Sequence, residues 1–187
     1  MAETPLEREI KLRFGSAAEA RRAVAAVGAA PLRGRRLQHD ALLDTPEATL
    51  GASGITLRIR SEAETSRVTF KGPVQPSLMK VREELETVVG DAGVLFRVFA
   101  ALGLRVSFRY EKYREEFSLG DVVIAIDDTP VGVYVEIEGS EAGIAAAAAA
   151  LGRTTADYIV DSYRGIFLAH QAALGLSGSD MVFEPGA

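Results

Sequence analysis

Residues 6–14 read Leu6-Glu7-Arg8-Glu9-Ile10-Lys11-Leu12-Arg13-Phe14. In an extended chain, the apolar side chains at positions 6, 10, 12 and 14 share one face, and the charged side chains at 7, 9, 11 and 13 share the other. This period of two predicts a β-strand whose apolar face packs against a core. The opposite face consists entirely of charged residues.

The same alternation recurs along the chain. It appears at 55–60, 66–71, 80–88, 107–117, 122–127 and 133–138, with a less regular segment at 37–43. Helices are predicted between these segments by capping residues and terminal glycines, at 16–28, 91–103, 140–152 and 155–175. About eight strands joined by short turns or single helices predict an α+β fold, in which helices pack outside an antiparallel β-barrel.

Composition narrows the class of protein. The chain has 187 residues, is 48% apolar and shows no linker, which predicts one domain over residues 1–175 and a flexible C-terminal tail over 176–187. A net charge of -5 argues against binding to nucleic acid or to an anionic membrane. The chain has no cysteine, which excludes disulfides and thiolate metal sites. With no signal-peptide pattern and no apolar stretch of membrane-spanning length, we expect a cytoplasmic protein, for which a homodimer would be unsurprising.

The polar faces of the predicted strands carry charged residues in pairs. They are Glu7, Glu9 and Lys11; Arg58 and Arg60; Lys71; Arg82, Glu84 and Glu86; Lys112 and Arg114; Asp127; and Glu136 and Glu138. Exposure to water explains any one pair, since charges on protein surfaces are common. If the sheet closes, however, these faces line the interior, where each unpartnered ion costs several kcal/mol. The complete set therefore favours a tunnel that binds a charged ligand.

The two signs of charge suit two kinds of ligand. Lysine and arginine side chains from several strands can surround a chain of phosphates with charge-assisted hydrogen bonds. Clustered carboxylates provide the hard oxygen ligands that Mg²⁺ and Mn²⁺ prefer. The pattern therefore predicts a polyanion bound together with divalent cations.

These residues resemble the CYTH superfamily, the triphosphate tunnel metalloenzymes. The Glu-x-Glu-x-Lys motif of its first strand is matched by Glu7, Glu9 and Lys11. In family order there follow Arg58 and Arg60, Phe70-Lys71-Gly72-Pro73, the set Arg82, Glu84 and Glu86, the pair Lys112 and Arg114, then Asp127, Glu136 and Glu138, and Ser162-Tyr163. The first motif is weak alone, but the ordered set spans residues 7 to 163.

The resemblance implies an eight-stranded antiparallel tunnel and a role for each charged group. By analogy the triphosphate is bound by Lys11, Arg58, Arg60, Lys71, Arg82, Lys112 and Arg114, and Mg²⁺ or Mn²⁺ by Glu7, Glu9, Asp127, Glu136 and Glu138. Lys11, Glu9 and Glu138 are the candidate catalytic residues, and Glu84 and Glu86 are expected to orient basic residues or a second metal's waters. Some family members use a C-terminal lysine, but no lysine follows Lys112 here. Arg153 or Arg164 could replace it.

Three functions remain open at this point. The first is a metal-dependent triphosphatase acting on inorganic triphosphate, thiamine triphosphate or a nucleoside triphosphate. The second is a class IV adenylate cyclase, which converts ATP to cyclic AMP and pyrophosphate. The third is a binding module for polyphosphate or nucleotide without catalysis, which the full acidic set argues against because a binder needs fewer metal ligands.

Overall fold

The computed structural model describes residues 6–184. The strands are β1 (Leu6–Phe14), β2 (Ala30–Asp44), β3 (Thr56–Glu62), β4 (Thr65–Lys71), β5 (Lys80–Val89), β6 (Arg105–Leu119), β7 (Val122–Thr129) and β8 (Gly132–Glu138). The helices are α1 (Ala17–Ala26), α2 (Thr49–Ala52), α3 (Ala92–Ala101), α4 (Glu141–Ala150) and α5 (Tyr163–Leu174), with a short 3₁₀ turn at Thr155–Asp157.

The eight strands form a closed antiparallel barrel in the order β1-β5-β4-β3-β2-β6-β7-β8. Strand β1 closes it, pairing with β5 through Leu6–Glu9 and with β8 through Glu9–Phe14. The prediction of an α+β fold with an eight-stranded antiparallel tunnel and helices outside it is confirmed.

The main apolar core lies outside the barrel. The apolar residues of β1, β7 and β8 face outward, and α1 and α4 cover them. Both helices begin where predicted, because the side chains of Ser16 and Ser140 accept hydrogen bonds from backbone N–H groups of the first turn. With the apolar faces buried outside, the charged faces of the same strands must point into the barrel.

A second apolar cluster lies where α5 packs on the barrel. Its buried members are Phe108, Tyr110, Val131, Tyr134, Tyr163, Phe167 and Met181. This cluster brings one aromatic residue of α5, Tyr163, against side chains of the tunnel wall.

The last helix is shorter than the sequence predicts. A helix is expected over Thr155 to Gly175, but α5 begins only at Tyr163. Residues between the 3₁₀ turn and α5 are extended, and Ile159 exchanges two backbone hydrogen bonds of 2.9 Å with Lys11. The pairing of β1 with β5 ends at Glu9, so the backbone of Lys11 is unpaired on that side until Ile159 provides the hydrogen bonds.

The C-terminal segment is tied to the barrel at residues 180–183. Met181 pairs with β6 through backbone hydrogen bonds to Arg109 and Glu111 and is only 1% exposed. The ring of Phe183 packs on Tyr113. The expected tail over 176–187 is thus anchored in part, and its residues 185–187, like residues 1–5 of the expected domain, lie outside the described range. None of the helices within 6–184 is long and apolar enough to span a membrane.

Candidate functional site

The charged strand faces meet inside the barrel, as the alternation predicts. The buried charged residues that line its cavity include Glu7, Glu9, Lys11, Arg58, Lys71, Lys80, Arg82, Lys112, Arg114 and Glu136. All four lysines of the chain belong to this set. Lysine is rarely buried in proteins unless it is paired, so placing every lysine in one cavity points to a specific use of their charge.

On the β1 side, both carboxylates of the first motif are held by basic side chains. The two Glu7 oxygens accept hydrogen bonds from Lys71 at 2.6 Å and Arg82 at 3.1 Å. One Glu9 oxygen accepts from Lys11 at 2.9 Å and also from Lys80 at 2.8 Å. Burial opposes ionisation of Glu9, but the ammonium groups of Lys11 and Lys80 hold its pKa below the ordinary value.

Lys80 is a tunnel residue that the motif comparison missed. Burial, with repulsion from Lys11, lowers the pKa of Lys80 to about 8. Its signal was present in the sequence, because Lys80 stands two residues before Arg82 and therefore shares its strand face. Two ammonium groups on one carboxylate oxygen leave positive charge available to an anionic ligand at this point.

Arg58 and Arg60 of β3 are held by Asp40 of β2, which the sequence did not single out. Asp40 is buried and accepts from Arg60 Nε at 2.8 Å, and Arg58 Nε lies 3.5 Å from the same oxygen. Of the predicted orienting residues, Glu84 pairs with Lys71 at 2.8 Å, and Glu86 pairs with Arg58 and with Arg67. Both acids contact basic residues, in line with an orienting role.

Asp127 is surrounded by donors. It is 0% exposed and accepts from Lys112 Nζ at 2.8 Å, from Arg114 at 2.7 Å and 2.6 Å, and from the Tyr163 hydroxyl at 2.5 Å. Three of these donors bond to Oδ2, while Arg114 Nε bonds to Oδ1. Because a carboxylate offers about four lone-pair sites, Asp127 can accept from Lys112 and Arg114 together and orient both side chains.

Glu138 differs from the other tunnel acids. It is exposed to the cavity, and the ion pairs within 6–184 include none to Glu138. Burial by the surrounding wall and repulsion from Glu7, Glu136 and Glu84 raise the pKa of Glu138 to about 7. Burial and repulsion from Glu9 also raise the pKa of Glu7. The tunnel thus has a region, around Glu138, with an excess of negative charge.

This region fits a divalent cation. Among residues 6–184 no three acidic or histidine side chains already stand at metal-binding distances from one another. Nevertheless, Glu138 of β8 lies opposite Glu9 of β1 in the strand register, and Glu136 lies two residues away on the same face, opposite Lys11. Glu136 is paired with Lys11 and Arg114, whereas burial and neighbouring carboxylates raise the pKa of Glu138. Carboxylate oxygens are ligands that Mg²⁺ and Mn²⁺ prefer.

The cavity has a volume of about 600 Å³ and two differently lined ends. One end carries Arg33, Glu62, Arg67, Glu86 and Glu116, whose charges pair with one another or with neighbouring arginines. The other end is lined by apolar residues, by backbone near α2, and by residues 160–164. Of the two arginines proposed to replace the missing lysine, Arg164 lines this end, whereas Arg153 lies over the ring of Phe14.

The family model of the CYTH domain matches residues 5–163 of the chain. A Methanocaldococcus jannaschii protein, provisionally named an adenylate cyclase, is 30% identical over 107 residues, which are 57% of this chain and 61% of that protein. The match thus spans less than two thirds of the relative's length.

Solved structures share the fold. A Pyrococcus horikoshii protein is 25% identical with a TM-score of 0.74, covering 86% of this chain and 98% of that one. A Hippeastrum protein, described as a provisional adenylyl cyclase with a dominant triphosphatase activity, is 18% identical with a TM-score of 0.64, covering 87% and 95%.

Proposed function

Since the chain belongs to the CYTH domain family, we propose that it is a divalent-metal-dependent triphosphate hydrolase that binds a triphosphate chain inside the barrel. The observation that carries this proposal is the convergence of all four lysines, with Arg58, Arg60, Arg82 and Arg114, on one cavity that also has an acidic region. This combination suits a polyanion bound beside a cation.

The basic residues would bind phosphate oxygens by exchanging partners. Lys11, Lys71, Lys112 and the arginines are held in place by carboxylates, so their side chains are ordered before a ligand arrives. A phosphate oxygen that replaces or joins a carboxylate gains charge-assisted hydrogen bonds worth roughly 1.5–3 kcal/mol each. Cations fixed around the phosphate chain would also stabilise the negative charge of the transferring group.

The acidic residues would hold the metal. Enzymes of this family depend on a divalent cation, and we assign Glu136 and Glu138, with Glu9 and Glu7, as the side chains that would bind Mg²⁺ or Mn²⁺. When bound, such a cation supplies Lewis-acid stabilisation of phosphate oxygens. Asp127, which the family resemblance implies as an assistant to the metal, would assist by orienting Lys112 and Arg114, since it accepts hydrogen bonds from both.

Cyclisation of ATP is the second candidate, since the M. jannaschii relative is named for it. The Hippeastrum protein shows that a chain with this fold can act mainly as a triphosphatase. Both reactions need the same phosphate and metal sites and differ in which phosphorus is attacked.

The test is to incubate the purified protein with inorganic triphosphate, thiamine triphosphate or ATP, each with Mg²⁺ or Mn²⁺, and to measure phosphate, pyrophosphate and cyclic AMP. We expect phosphate release from at least one substrate, lost in EDTA. Cyclic AMP with stoichiometric pyrophosphate would establish the cyclase, and binding without any product would establish a binding module.

A matched pair of variants on β6 connects the activity to the tunnel. Lys112 points inward, whereas Arg109 on the same strand is 59% exposed on the outside. Lys112→Ala is expected to reduce turnover at least tenfold, and Arg109→Ala to leave it near that of the wild type. Equal rates in the two variants would refute the tunnel as the site.

A further inference from the structure

Tyr163 connects α5 to the tunnel wall. It is the first residue of α5, directly after Ser162, whose side chain caps the helix by accepting from Gly165 N. Its ring is buried in the second apolar cluster. Two lysine side chains of the tunnel lie near this ring: Lys112 Nζ is 4.8 Å and Lys11 Nζ 5.3 Å from the ring centroid. At these distances an aromatic face attracts a cation.

The Tyr163 hydroxyl acts on a third residue. It donates to the same Asp127 oxygen that accepts from Lys112 Nζ and from Arg114 Nη2. Because Asp127 is completely buried, each donor that it accepts helps to determine where its carboxylate lies. The hydroxyl therefore influences the position of Lys112 and Arg114 without touching either through a hydrogen bond.

The segment before Tyr163 is anchored as well. Ile159 lies four residues before Tyr163, and its backbone N–H and C=O groups both form hydrogen bonds with the backbone of Lys11. The start of α5 thus contacts β1 at Lys11, β6 at Lys112 and β7 at Asp127. In the barrel β6 and β7 are neighbours, whereas β8 separates β7 from β1, so Tyr163 contacts side chains from strands on both sides of β8.

We propose that Tyr163 is a positioning residue that holds Lys11, Lys112 and Arg114 in the arrangement that binds phosphate, acting on the last two through Asp127. This inference rests on the proposed function, since it concerns the same cavity. It assigns a role to the hydroxyl that a purely structural aromatic residue would not have.

Tyr163→Phe separates the two roles. The variant keeps the ring, its packing and its interaction with both ammonium groups, and removes only the donor to Asp127. Without this donor the Asp127 carboxylate can rotate, and Lys112 and Arg114, which are bonded to it, move with it out of the arrangement that binds phosphate. We expect about tenfold weaker binding of inorganic triphosphate, comparable to the loss of one net hydrogen bond, with a melting temperature within a few degrees of the wild type.

Tyr134→Phe is the matched control. Tyr134 belongs to the same cluster, its ring centroid is 5.9 Å from that of Tyr163, and its hydroxyl lies beside Gly132. Binding of inorganic triphosphate in EDTA is measured by calorimetry for the wild type and both variants, so that no turnover interferes. Wild-type affinity in Tyr163→Phe, or an equal loss in Tyr134→Phe, would overturn the positioning role.

Asp127→Ala completes a double-mutant cycle that tests the route, because alanine removes the acceptor of the Tyr163 hydroxyl. If Tyr163 acts through Asp127, removing the hydroxyl in the Asp127→Ala background has little further effect on affinity. Fully additive losses, or a collapse of the melting temperature in Tyr163→Phe, would overturn the inference. Failure of the wild type to bind inorganic triphosphate is a different result, because it refutes the proposed function itself.

Discussion

Replacing Glu138 with glutamine is expected to stabilise the protein when no metal is present. In the folded protein, burial and the carboxylates of Glu7, Glu136 and Glu84 oppose ionisation of Glu138 and raise its pKa from 4.5 to about 7. Glutamine has nearly the same shape without the charge, so Glu138→Gln removes the repulsion and keeps the packing.

The magnitude follows from the shift in pKa. One pKa unit corresponds to about 1.4 kcal/mol, so the full shift would correspond to about 3 kcal/mol. Glu138 is exposed to water in the cavity, and solvent screening reduces this to about 1 kcal/mol. For a protein of this size, that raises the melting temperature by roughly 2–4 °C.

The sign of the pH dependence is also determined. Below pH 4.5 the carboxyl of Glu138 is protonated in the folded and unfolded states, and the wild type and Glu138→Gln should be equally stable. Between pH 4.5 and about 7 the unfolded state ionises first, so the wild type loses stability relative to the variant. Above pH 8 the difference should be constant.

The assay is thermal unfolding in EDTA from pH 4.5 to 8.5, repeated with millimolar Mg²⁺ or Mn²⁺. Metal should stabilise the wild type clearly and Glu138→Gln much less. Glu83→Gln is the control, because it removes the same charge from β5 at a position between the inward-facing Arg82 and Glu84, hence on the outer face. The reasoning is refuted if Glu138→Gln is no more stable than the wild type at pH 8, or if metal stabilises both equally.

Three further outcomes are expected. Lys11→Ala should reduce phosphate release at least tenfold and lower the melting temperature, because it removes the partner that Glu9 and Glu136 share. Gly139→Ala should lower the free energy of unfolding, measured by chemical denaturation, by more than about 2 kcal/mol, because the φ of Gly139 is +154° and a Cβ would lie 2.7 Å from the Asp121 carbonyl oxygen. Gly120→Ala is the control: a Cβ there would meet open space, and the change should cost about 1 kcal/mol. Met181→Ala should cost about 2–4 kcal/mol by the same measurement, because the side chain is buried; a change near zero would mean that this segment is not anchored.

Much of the fold followed from local patterns. The alternation in residues 6–14 correctly predicted β1, and similar alternation predicted the cores of the other strands. The sequence correctly predicted that helices begin after Ser16, Asp91 and Ser140, because each of these side chains caps the first turn of the helix that follows it. These signals act over a few residues, so they are visible in one sequence.

The errors arose where distant segments meet. The local sequence pattern of residues 158–162 predicts a helix, but Ile159 instead forms an antiparallel bridge with Lys11, at a point where β1 is unpaired on one side. The C-terminal glycines predict a flexible tail, yet Met181 forms a parallel bridge with Tyr110, in a stretch of β6 that is unpaired on one side. In both cases the outcome depended on a stretch of strand that continues beyond its pairing with one neighbour, so that its backbone groups needed another partner.

By itself, the sequence determined which side chains face into the barrel, because a period of two assigns each residue of a strand to one face. This includes Glu7, Glu9 and Lys11, and it covered Lys80 even though no motif named it. Only the tertiary structure decided which charged groups are paired. Asp127 accepts hydrogen bonds from Lys112, Arg114 and Tyr163, whereas Glu138 lies near other carboxylates. The physical reason is that a strand's period fixes direction, whereas pairing depends on strand register and on the helix that packs at the tunnel wall.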